Sequence, residues 1–146
     1  MDEDAYRQAR AALQPVPCVF EKALATACAA CSLSVRRALA ERESIGCTSA
    51  PARDDCARFA ALTRERSAFA LRRAPGAVLA HAATLRLQCG GLAGLRGCVD
   101  PGEHDAARLV AGALARFGSL ADLPWPGIVA AVVARTGRRP HRRGPG

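Results

Sequence analysis

Apolar positions along this chain recur mostly at intervals of three and four, the spacing of one face of an α-helix. The clearest case is DPGEHDAARLVAGALARFG, where Leu109, Val110, Ala113, Leu114 and Phe117 make an apolar stripe. Asp100 reads as its cap, Pro101 as its first turn, Glu103 as the partner in a capping box and Gly118 as its stop. Residues 3–14 predict a short polar helix with Asp2 or Asp4 at its positive end, broken by PVP at 15–17. Segments 18–29 and 32–43 are the next helix candidates, continuous or interrupted at CAACS, with Ser32 or Ser34 as a cap. ESIGCTSAP at 43–51 reads as a loop stopped by Gly46.

Ser49 and Pro51 open a helix over about 51–73, whose face carries Cys56, Phe59, Leu62 and Phe69 and which RAPG ends. Residues 77–88 suit another helix, with Leu79, Ala82 and Leu85 in register. CGGLAGLRGCVDPG at 89–102 reads as an irregular, glycine-rich loop. SLADLPWPG is a turn around Trp125, and a last helix over about 127–136 places Ile128, Val129, Val132 and Val133 together. No strand-like alternation and no internal repeat is apparent. The expected fold is all-α: one small bundle of five to seven helices over residues 1–136, with a glycine-rich loop, then a disordered basic tail over 137–146.

Composition refines this picture. The 146 residues are enough to bury a core without crosslinks, so the cysteines are not needed as staples for an undersized fold. Apolar residues make up 50% but aromatics only 4%, which implies a core of alanine and leucine with closely packed helices. No uninterrupted apolar run of membrane-spanning length occurs. The acidic start MDEDAYRQAR does not resemble a secretory leader, so a cytoplasmic location is expected.

The net charge is +8, and Arg135, Arg138, Arg139, Arg142 and Arg143 supply +5 of it. The basicity is therefore mainly a property of the tail. Through Arg138, Arg139, Arg142 and Arg143 the tail can dock nucleic acid or an acidic protein partner by charge alone, or stay solvated. Lys22 is the single lysine, and with so much alanine and glycine the arginine preference reads as the coding bias of a GC-rich, bacterial genome.

The chemistry lies in seven cysteines. In a reducing compartment such an excess points to metal or redox chemistry before disulfides. Cys28 and Cys31 form a CxxC pair, able to present two sulfurs from one helix face or to grip one metal from a turn. Cys47 falls in an expected loop with unpaired N–H groups, and Cys89 precedes Gly90 and Gly91, which would let backbone approach a cluster. Cys28, Cys31, Cys47 and Cys89 are thus the first candidate ligands, with Cys18 and Cys56 in reserve and Cys98 the least committed. Zinc sites usually carry two tight ligand pairs, and here one exists. Ligands scattered over several helices suit a [4Fe-4S] cluster, with zinc second.

Two other readings stand beside the metal. Cysteine also serves as a small buried apolar residue, and Cys56, one turn from Phe59, looks like that. A thiol redox protein using the CxxC pair is the other, although no strand precedes the pair as in a thioredoxin-like site. His81, eight residues before Cys89, is a possible ligand but reads better as a surface or helix-start residue; His104 falls in the first turn of its expected helix, and His141 reads as solvated in the tail. Asp54 with Asp55 and Glu41 with Glu43 read as exposed helix acids. No nucleophile elbow and no phosphate loop is present, so no enzyme active site is expected.

Overall fold

The computed structural model describes residues 2–74 and 78–135. The basic tail, with Arg138, Arg139, Arg142 and Arg143, and His141 lie outside these residues. The described chain is a mostly helical small domain with six α-helices and one two-stranded antiparallel sheet. The sheet corrects the all-α expectation.

Helix α1 (Glu3–Leu13) starts where Asp2 accepts the amide of Ala5 at 2.7 Å and ends at Gln14. Gln14 is buried and donates from Nε2 to the carbonyls of Val35 (3.2 Å) and Ser44 (3.4 Å), tying α1 to the sheet. Helix α2 (Glu21–Ala25) is a single short turn and not the helix expected over 18–29. It ends because Ala27 turns into the left-handed region (φ 60°), so the CxxC pair is not helical.

Strands β1 (Ser34–Leu39) and β2 (Arg42–Cys47) pair from Leu39↔Arg42 to Ser34↔Cys47, where a helix over 32–43 and a loop were expected. Ala40 and Glu41 form the two-residue turn with φ of 49° and 66°, the conformation of a type I′ hairpin. Neither residue favours that conformation, and Ser44, Ile45 and Gly46 are buried in succession, so neither a turn signal nor a period of two marks the hairpin. On its other edge β2 receives the segment before α2: Cys18 N–H donates to Ile45 O (2.9 Å) and Cys47 N–H to Val16 O (2.8 Å). A Cβ on Gly46 would run into the Gln14 carboxamide and come 3.1 Å from the Val16 carbonyl oxygen, so this crossing requires glycine.

Helix α3 (Ala50–Ser67) begins at Ser49, whose hydroxyl accepts from Ala52 N–H, with Pro51 in the first turn as expected. Helix α4 (His81–Val99) runs straight through the glycine-rich segment that reads as a loop. Gly90 and Gly94, one turn apart, let the backbone of α6 (Trp125–Ala134) approach: a Cβ at either would lie 2.7 Å from the Cα of Val132 or Ile128. The glycines are therefore a packing groove within a helix. Helix α5 (Ala106–Phe117) starts one turn later than expected, with Asp105 as its cap in place of Asp100, and Gly118 closes it at φ 77°. Asp100 instead accepts from Gly102 N–H, and Glu103 accepts from Asp105 N–H, in the turn that leads in.

The core gathers Phe59, Leu92, Leu95, Leu109, Val110 and Ile128, all essentially inaccessible to solvent. Phe59 stacks on Trp125 with ring centroids 5.8 Å apart, and Trp125 Nε1 donates to Leu120 O. Among the described residues no helix is long and apolar enough to cross a membrane.

Candidate metal centre

Four cysteines from four separate pieces of backbone line one small pocket: Cys18, Cys31, Cys47 and Cys56. Cys18 lies just before α2, and Cys47 ends β2. Two backbone hydrogen bonds on the same strand edge fix them, Cys18 N–H to Ile45 O and Cys47 N–H to Val16 O. Cys56 projects from the second turn of α3. Cys31 sits in the connection between α2 and β1, where Ser34 donates to its carbonyl from both N–H (3.2 Å) and Oγ (2.7 Å). On either side of it the chain is tied to the start of α5. Ala30 N–H donates to His104 O, Ala106 N–H donates to Ala30 O, and Ser32 N–H donates to Asp105 Oδ2 at 2.9 Å.

The pocket holds about 20 Å³ between the thiols, room for about one water, and Phe20, Leu24, Ala52 and Ala106 give it apolar walls. Arg53 also lines it, with its Nε donating to Pro17 O at 3.1 Å. A cation thus stands at the edge of four groups that become anionic when they bind metal.

Burial, reinforced by the neighbouring thiols, pushes Cys18 up to about 11. At Cys18 the opposing influence is the Phe20 backbone, and Cys31, Cys47 and Glu21 add to burial. Burial pushes Cys56 up to about 12, with Cys31, Cys18, Cys47 and Asp55 adding to it. At neutral pH both are protonated. They are poor nucleophiles, and a metal that bound them would displace their protons. Cys47 Sγ is 3.2 Å from Ser49 O, the carbonyl to which its thiol donates.

The first candidate ligand set is divided by the structure. Cys31 and Cys47 are in the pocket, together with the reserve residues Cys18 and Cys56. Cys28 and Cys89 are joined to each other as a disulfide, with Cα atoms 5.9 Å apart. After the left-handed turn at Ala27, Cys28 is bonded to α4, while Cys31, three residues on, lines the pocket. The glycines beside Cys89 do not offer loop N–H groups to sulfur: they lie within α4 and face α6 and Thr63. Cys98 is remote from the pocket and donates to Leu95 O, and burial raises its pKa. His81 and His104 are exposed, as are Asp54, Asp55, Glu41 and Glu43.

Among the described residues no group of three or more His, Cys, Asp or Glu side chains stands arranged around a single metal ion. The four thiols ring a pocket and do not meet at one point. A larger cavity of about 290 Å³ lies between the end of α3 and the start of α4, walled by Ala61, Ala68, Leu71, Leu79 and Leu87 with Arg64 and Arg73. No cysteine or histidine lines it, so size does not make it the centre of chemistry. No family model, curated protein or solved structure matches the chain.

The sequence carried one cue to the pocket set. Cys18 follows PVP, a segment that cannot be helical and is therefore available to lie along a strand edge. The missing information was the hairpin, which brings Cys47 back beside Cys18.

Proposed function

We propose that this is a small metal-binding protein in which Cys18, Cys31, Cys47 and Cys56 ligate an iron–sulfur cluster, with zinc as the second choice. The observation that supports it is the gathering of four unbridged thiols from four backbone segments on one apolar pocket. Four thiolates suit either metal. A tetrahedral zinc site would need the sulfurs drawn to about 3.8 Å from one another, as follows from a Zn–S bond of about 2.3 Å. A four-iron cluster is itself several ångströms across and takes sulfurs that ring it at wider spacing. The present pocket would have to open to admit it.

The centre would serve structural stabilisation, electron transfer or sensing in the cytoplasm. The arginines at 138, 139, 142 and 143 would supply a salt-sensitive contact to a protein partner or nucleic acid.

The deciding experiment is purification without oxygen or chelators, followed by a visible absorption spectrum and assays for iron, sulfide and zinc. Iron and sulfide together, lost when any of Cys18, Cys31, Cys47 or Cys56 is changed to serine and kept in Cys28→Ser/Cys89→Ala, is the expected result. Zinc alone with the same mutational pattern transfers the reading to zinc. Metal content indifferent to the four pocket cysteines, or no metal at all, overturns it.

A further inference from the structure

We propose that the cavity between the end of α3 and the start of α4 is a binding site for a single-chain amphiphile with an anionic head, a medium-chain carboxylate. It lies apart from the four-thiol pocket, and no cysteine of the described residues lines it. The inference therefore stands whether or not those thiols bind metal.

The walls define the ligand. Ala61, Ala68, Leu71, Leu79 and Leu87 surround a space of about 290 Å³, at the lower end of the range of about 300–1,000 Å³ for small-molecule sites. None of the described residues lining it carries a hydroxyl, an amide or an aromatic ring. A sugar or a nucleobase would find no directional partner on these walls, and its polar groups would be buried unpaired. A saturated chain asks only for apolar area. The volume suits one chain of about eight to twelve carbons rather than the two long chains of a membrane lipid.

The polarity that the site does have is all ionic: Arg64, Arg73 and Glu65. Two guanidiniums against one carboxylate leave a balance of +1. A carboxylate head carries one negative charge and neutralises that balance, whereas a phosphate monoester carries more. Arg64 is already engaged. Arg73 forms no ion pair among the described residues, and its planar fork matches a carboxylate.

The backbone brings Arg73 to the cavity. Past the end of α3, Arg73 N–H donates to Ala68 O (2.9 Å) and Arg72 N–H to Phe69 O (3.0 Å), with Arg72 at φ 55°. This pair of bonds is a Schellman closure, which folds the chain at Arg73 back toward Ala68. Glycine usually takes the left-handed position, and here an arginine takes it at a steric cost. The two residues so joined both line the cavity, Ala68 as wall and Arg73 as charge.

Two exposed apolar side chains supply the control for a test with an amphiphile. Phe69 and Val78, next in sequence to Ala68 and Leu79, are 95% and 96% exposed and are not among the lining residues. The full chain is titrated calorimetrically with decanoate, kept below its micelle concentration. One decanoate per chain is expected. Ala68→Phe, which fills the cavity, should weaken binding by about tenfold or more. Arg73→Gln should weaken it by about three- to tenfold, the range for an exposed charge-assisted hydrogen bond. Decanol should bind with the same deficit and be indifferent to Arg73→Gln. Phe69→Ser/Val78→Ser should bind decanoate as the parent does. Circular dichroism checks each variant, and Arg73→Gln, on an exposed turn, decides the matter if Ala68→Phe fails to fold. No binding of decanoate, or equal binding by the parent, Ala68→Phe and Arg73→Gln, overturns the site. So does decylammonium binding as tightly as decanoate. Loss of binding in Phe69→Ser/Val78→Ser with retention in Ala68→Phe transfers it to the exposed side chains and overturns the cavity. Binding to phosphatidylglycerol vesicles without binding to free decanoate overturns it too, in favour of a membrane surface.

Discussion

Asp105 offers the sharpest test of how the Cys31 connection is held. Its carboxylate serves two elements at once. Oδ1 accepts from Ala107 N–H (3.1 Å) and Arg108 N–H (3.3 Å) as the cap of α5, and Oδ2 accepts from Ser32 N–H, next to Cys31. Replacing it with alanine removes both. A lost cap costs about 1–2 kcal/mol, and the lost hydrogen bond to Ser32 about 1 kcal/mol more. Asp105→Ala should therefore destabilise the protein by about 2–3 kcal/mol, lowering Tm by roughly 6–10 °C for a chain of this size.

Asp105→Ser separates the two contributions, because serine caps but is too short to reach Ser32 as well. It should recover about 1 kcal/mol or more of the loss. Urea unfolding followed by circular dichroism measures all three proteins. A cost below about 0.5 kcal/mol for Asp105→Ala would refute the view that this residue holds α5 and the Cys31 connection together. The pH dependence gives an independent check. Burial on its own would raise the Asp105 pKa, but hydrogen bonds from Ser32, Arg108 and Ala107 outweigh it and hold the carboxyl below its ordinary value. A lowered native pKa means the contribution is present above the ordinary carboxylate range and is lost as pH falls through the native value. The stability difference between the protein and Asp105→Asn should thus shrink on acidification below about pH 4.

Two further outcomes are expected. Gly94→Ala places a Cβ 2.7 Å from the Cα of Ile128, and Gly90→Ala does the same against Val132, so each should cost about 1–3 kcal/mol in urea unfolding. Gly97→Ala, on the same helix with nothing within 4 Å, should instead stabilise by about 0.5–1 kcal/mol, and a loss there would show that α4 is not helical at its end. In the metal-free protein, Cys18 and Cys56 have native values raised by burial to about 11 and about 12, above the ordinary thiol value of 9.0. Their contribution is complete below pH 9 and is lost as pH rises toward 12, so chemical unfolding over that window should show falling stability. Cys18→Ala/Cys56→Ala should flatten the fall. An unchanged profile would mean these thiols are not buried.

Local physical chemistry by itself determined a good part of this protein. Asp2 and Ser49 cap their helices because each side-chain oxygen reaches the first unpaired N–H groups, and Gly118 ends α5 because it alone accepts the left-handed turn there. The stripe Leu109, Val110, Ala113 had one buried face to find, and it found it. An excess of cysteine marked thiol chemistry before any fold was known. Tertiary structure decided the rest. Ala40 and Glu41 adopt a hairpin turn against their own preferences because β2 gains a partner on each edge, β1 on one side and Val16–Cys18 on the other. Gly90 and Gly94 lie in a helix, despite the entropic cost, because their missing side chains admit the backbone of α6. The division of the cysteines followed from these long-range choices. The hairpin returned Cys47 to Cys18, the start of α5 and the α3 cap placed Cys31 and Cys56 beside them, and the turn at Ala27 sent Cys28 to α4. Spacing along the chain carries no record of such pairings, because each depends on surfaces that exist only once the helices have packed.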